Sequence, residues 1–122
     1  MANYVVWMDG EKATVYDLKP GKIDSTHVEK AVHKHHTSSD ANKHKGEDHY
    51  FHEIALKLSG AKEILIVGPG QAKVQFKHHL ENHHHANLAK AVVGVETVDH
   101  PTENQILATA RKFFKNYDLF NS

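Results

Sequence analysis

The chain has 122 residues, the length of one ordinary domain closed around a single hydrophobic core, and it contains no cysteine. That excludes disulfides, thiolate metal ligands and a cysteine nucleophile, and it fits a reducing, cytoplasmic setting. With 15 basic and 15 acidic residues the formal charge is zero, so the global signature of a nucleic-acid binder is missing, although 13 histidines with ordinary pKa values of about 6.5 make that neutrality conditional on pH.

The N-terminus, MANYVVWMDGEK, has no basic leader and its apolar run is too short for a signal peptide or a membrane span, which again leads to the expectation of a cytoplasmic protein. Apolar and polar residues alternate on either side of Asp9-Gly10, the signal of a hairpin in which glycine supplies a positive φ. A second turn is expected at KPGK, with Pro20 presetting φ and Gly21 in the left-handed position, before IDSTHVEKAV returns as a third strand. Trp7 lies on the first strand and reads as a packing residue rather than a platform for stacking bases.

The next stretch, HKHHTSSDANKHKGED at 33–48, holds four histidines, three lysines and no apolar periodicity. Loops of about 12 to 15 residues without structure of their own are uncommon unless functional or disordered. Up to Lys45 its only acid is Asp40, so the run is locally basic, and Ser38, Ser39, Asn42 and Gly46 keep it pliable. A solvated connection, a nucleic-acid contact and a metal site are the readings that compete here. For the second of these the candidate contacts are His33, Lys34, His35, His36, Lys43, His44 and Lys45, joined by Lys73 further along.

Phe51, Ile54, Ala55 and Leu58 recur at helical spacing after acidic Glu47 and Asp48, and Ser59-Gly60 closes that helix. EILIVG is a continuous apolar run, the pattern of a strand covered on both faces, and GPG leads from it into a second helix carrying Phe76 and Leu80. ANLAKA adds a possible helical turn before the strand VVGVETV. Thr102 and Gln105 have capping-box spacing, and Ile106, Ala110, Phe113, Phe114 and Tyr117 form the stripe of a last helix. The predicted order is β-β-β-α-β-α-β-α, a single α/β domain over 1–122 with a mixed sheet in two or three layers.

Catalytic and metal signals are weak. His79 and His83 are spaced i, i+4 and His49 and His52 i, i+3 beside Glu53, yet HEIALKLS lacks the second histidine of HExxH and no third and fourth ligand follow. No metal site and no cofactor are expected; His78, His79 and His83 to His85 are read instead as a weakly cationic, solvated helix face beside Lys73 and Lys77. VGPGQAK lacks both the GxxxxGK[ST] pattern of a Walker loop and the third glycine of GxGxxG, so its glycines read as a structural reversal. The competing reading is that amides at the start of the second helix hold a phosphate with help from Lys73. No serine lies in a GxSxG elbow, and no enzyme activity is expected.

KEILIVGPGQAKVQFKHHL and VVGVETVDHPTENQILATARKFF, in this order of elements, resemble the central domain of the archaeal and eukaryotic class I peptide release factor and Pelota family, including its short single-domain bacterial relatives of the translational machinery protein type. In release factors the connection between the third strand and the first long helix carries Gly-Gly-Gln; here that place is taken by 33–48, which lacks it, and Gly-Pro-Gly-Gln at 68–71 follows the buried strand instead. The resemblance therefore implies a non-catalytic partner of the ribosome or of structured RNA, without peptide release by Gln71. A module for protein partners, of the short bacterial host-attachment type, is the other expectation that the resemblance carries, and a histidine-based metal protein is a third reading, taken from the residues alone.

Overall fold

The computed structural model describes residues 2–30, 40–82, 85–99 and 101–121. β1 (Ala2–Met8), β2 (Lys12–Lys19) and β3 (Lys22–Glu29) form the antiparallel meander that the alternating pattern predicts, with Val6 opposite Val15 and Val15 opposite Thr26. β4 (Ala61–Gly68) then runs parallel to β1 on its free side, and β5 (Val92–Thr97) runs parallel to β4, giving the order β3-β2-β1-β4-β5. The sheet is mixed, as expected. β4 is flanked by strands on both edges and every residue from Glu63 to Gly68 is buried, which is why its sequence is a continuous apolar run rather than an alternation.

Successive side chains of β1 and β4 point to opposite faces, and each face has its own cover. On one face Val6, Met8, Ile64 and Ile66 pack with Phe51 and Ile54 of α1 (Asp40–Leu56) and with Phe76 and Leu80 of α2 (Ala72–Asn82), and Ala91 of the short α3 (Ala86–Ala91) completes the cluster. On the other face Val5, Leu65 and Val67 pack with Ile106, Ala110 and Phe114 of α4 (Glu103–Asn121). Three layers result. Complete burial of each Ile, Leu or Val of the central strands contributes about 1.5–3 kcal/mol, so the register of β4 between β1 and β5 is strongly fixed. Trp7 packs against the α4-side cluster, the packing role read from its strand position.

Three local features depart from the sequence reading. The first hairpin does not use Gly10 in a left-handed conformation; instead the Asp9 carboxylate accepts hydrogen bonds from the Glu11 and Lys12 amides, both at 2.8 Å, and the Asp9 amide donates to the Lys12 carbonyl. An aspartate that bonds the backbone two residues on makes the turn itself, so the glycine is not needed for φ. Gly21, by contrast, takes φ 76° as its turn requires. The first helix begins at Asp40, within the histidine-rich stretch, and ANLAKA is a helix in its own right, so the observed order is β-β-β-α-β-α-α-β-α. The capping box is as expected: the Gln105 amide donates to Thr102 Oγ1 at 3.2 Å and the Thr102 amide to Gln105 Oε1 at 2.8 Å.

Candidate nucleic-acid interface

The basic stretch joins β3, at the sheet edge, to α1. His33, Lys34, His35 and His36 lie outside the described residues, whereas Lys43, His44 and Lys45 fall on the first turns of α1. The connection is therefore shorter than its composition predicts. Gly46 disfavours helix by about 1 kcal/mol, and the apolar spacing that marks the helix starts only near Tyr50, so the first two turns give no hydrophobic signal. They extend from a well-anchored second half: Tyr50, Phe51, Ile54 and Ala55 are buried, and the Tyr50 hydroxyl donates to the Asp9 carbonyl at 3.0 Å. Burial, and then the negative charge of Asp9, push the Tyr50 phenol far above its ordinary range, so it stays a hydrogen-bond donor. This bond ties α1 to the β1–β2 turn.

Lys73 departs from the expected role. It is 5% exposed, and its ammonium donates to the Gly70 carbonyl at the loop that precedes α2. A phosphate at the start of α2 would have to compete for a cation already engaged by the backbone. The loop itself is fixed by close packing: a Cβ on Gly68 would stand 1.9 Å from the Met8 carbonyl oxygen, and the Val98 amide donates to the Gly68 carbonyl. Glycine at 68 lets β4 end beside β1, and Gln71 accepts the first backbone bonds of α2 from Val74 and Gln75. The Gly-Pro-Gly-Gln stretch thus builds the strand-to-helix reversal, which agrees with the structural reading of its glycines.

The histidines divide differently from the expected solvated face. His49 and His78 are exposed and pair along their helices with Glu53 at 3.4 Å and Glu81 at 3.6 Å. His79 is buried: its ring centroid lies 5.5 Å from that of Phe51 and 5.9 Å from that of His85, and Nδ1 is 3.7 Å from Asp48 Oδ1. His52 joins the group through His85 at 5.6 Å. Asp48 and His52 are spaced i, i+4 on α1, a pattern that locates one side of this joint, but nothing in the sequence pairs it with His79 and His85. Among the described residues no three histidine or carboxylate groups are placed to hold a metal ion together; His83 and His84 lie outside them. A groove of about 490 Å³ opens between the ends of α1 and α3, lined by Leu56, Ser59, His85, Asn87 and Leu88 among others, with no lysine or arginine on its walls. It offers an anion no formal positive charge while His85 is neutral.

No protein-family model and no curated protein matches the chain. Solved structures do. Pelota from Archaeoglobus fulgidus superposes with a TM-score of 0.64 at 17% identity, covering 91% of this chain and 31% of that one. The archaeal translation termination factor aRF1 gives 0.66 at 18%, covering 91% and 34%, and Pelota from Thermoplasma acidophilum gives 0.60 at 21%, covering 86% and 30%. The chain spans about a third of the length of these proteins. Its α/β fold, a five-stranded mixed sheet with helices on both faces, is that of a domain carried by Pelota and by the archaeal termination factor.

Proposed function

We propose that the protein is a non-enzymatic, cytoplasmic, translation-associated module that binds the ribosome or structured RNA through the basic stretch that follows β3 and continues into the first turns of α1. The observation that carries this reading is the fold shared with Pelota and a translation termination factor, combined with the position of that stretch, which leads directly into α1. Lys34, Lys43 and Lys45 supply permanent charge, and His33, His35, His36 and His44 add charge as pH falls. Lysines contact phosphate without reading bases, so recognition would follow RNA shape and backbone. Lys73 contributes to this module as a buried support rather than as a contact. No helix among the described residues is long and apolar enough to cross a membrane.

The test is sedimentation of untagged protein with ribosomes through sucrose at low and high salt, comparing wild type with the Lys34→Ala, Lys43→Ala, Lys45→Ala triple variant. Wild type is expected to travel with ribosomes at low salt and to dissociate at high salt, and the variant to bind more weakly with a flatter salt dependence at unchanged thermal stability. Wild type remaining at the top of both gradients overturns the reading in favour of a module for protein partners.

A further inference from the structure

α4 forms its layer alone, on the opposite face of the sheet from α1, α2 and α3. Ile106, Ala110 and Phe114 are buried against the strands, and Leu107, Phe113 and Tyr117 flank them half-buried. The outward side presents Arg111, Lys112 and Lys115, all exposed, and Arg111 is the chain's sole arginine. Arg111 and Lys115 are spaced i, i+4 and Lys112 and Lys115 i, i+3, so the like charges are surface neighbours and oppose helix formation. Among the described residues none of the three has an acidic group within ion-pairing distance. The acids of α4 are elsewhere: Glu103 is in the first turn, and Asp118 hydrogen-bonds with Glu63 of β4. The helix dipole does not account for the stripe either, because its effect is confined to the last turn and Lys115 stands six positions before the end at Asn121.

Three adjacent cations that neither pack nor pair raise the cost of the helix that carries them, and a polyanion lying along α4 reverses that cost. We propose that Arg111, Lys112 and Lys115 are a second RNA-binding surface, gripping the phosphate backbone on the face of the sheet opposite α1; the choice of RNA among polyanions rests on the function proposed above. The Arg111 guanidinium suits bidentate contact with one phosphate, and the two lysines act as point charges on its neighbours. Contacts of this kind carry no base sequence, release counterions and weaken steeply with salt.

The experiment measures binding of the full chain to a fluorescent RNA hairpin and to ribosomes over a salt series. Its variants are the Arg111→Gln, Lys112→Gln, Lys115→Gln triple, the charge-keeping Lys112→Arg, Lys115→Arg double, and the Lys34, Lys43, Lys45 triple to alanine. The neutralised stripe is expected to lose about tenfold or more in affinity and to reduce the salt slope by about two, with an unchanged or raised thermal midpoint, while the arginine double binds as wild type. A neutralised stripe that binds both targets like wild type, while the β3–α1 variant does not, overturns the α4 surface and leaves the proposed function standing. Loss on the stripe with full binding by the β3–α1 variant supports α4 and removes the role of the stretch. Wild type that binds neither target overturns both.

Discussion

Asp48 Oδ1 on α1 lies 3.7 Å from Nδ1 of His79 on α2, with the carboxylate side chain 56% exposed and the imidazole almost fully buried. Burial disfavours a charged imidazole and the carboxylate favours it, so the two effects oppose each other at this joint. Asp48→Asn removes the second and leaves the first. Asp48→Asn is expected to differ from wild type by no more than about 1 kcal/mol in denaturant unfolding at neutral pH, because solvent screens an exposed partner. A larger loss would show that Asp48 carries more of the α1–α2 joint than a screened contact.

The same pairing gives α1 and α2 a polar contact above the apolar one between Phe51 and Phe76, whose ring centroids are 5.7 Å apart. α1 is thereby anchored from Asp48 onward, by Asp48, Tyr50 and Phe51, whereas the lysines and histidine at 43–45 precede every one of those anchors. A substitution at that end leaves these anchors in place, so a loss of binding by Lys43→Ala or Lys45→Ala would not be a loss of the core beneath α1.

Glu63 on β4 is buried and hydrogen-bonds with Asp118 near the end of α4. Its pKa is raised, first by burial and then by the Asp118 hydrogen bond and charge, with Lys62 acting in the opposite direction. The folded protein thus holds this proton more tightly than the unfolded chain. The resulting stability is fully present below the unfolded carboxylate value of about 4.3 and is lost as pH rises through the folded value. Glu63→Gln keeps the shape and cannot ionise, so its thermal midpoint is expected to exceed that of wild type by a few degrees at neutral pH and to converge with it in acid. A variant no more stable at neutral pH than wild type would show that ionisation of Glu63 is not a cost to the fold.

How legible this was depended on whether a signal was local. Thr102 and Gln105 make their capping bonds three residues apart, and the β1–β2 and β2–β3 pairings follow from alternation across short turns, so both could be read from the chain. The start of α1 could not, because residues 40–47 carry neither apolar spacing nor a stop, and their helical state follows from the anchored turns after them. The joint of His52, His79 and His85 was hidden for another reason. It is made by side chains from α1, from α2 and from the residue that precedes α3, and only the Asp48 to His52 spacing lies within one helix. Lys73 misled because lysine is seldom buried, and its partner, the Gly70 carbonyl, is a backbone group that no composition reveals.

Lys73 therefore separates support from contact. Its ammonium bonds the Gly70 carbonyl and its stem is buried in the first turn of α2, so Lys73→Met keeps most of the apolar stem and removes one charge-assisted bond. Hydrogen bonds to charged groups are worth about 1.5–3 kcal/mol, less whatever methionine recovers by packing, so a net loss of about 1–2 kcal/mol is expected by denaturant unfolding. RNA or ribosome affinity and its salt slope are expected to match wild type, because a buried cation releases no counterions when a partner binds. The opposite result, full stability with weakened and less salt-sensitive binding, would return Lys73 to the interface and would mean that the loop before α2 opens to expose it.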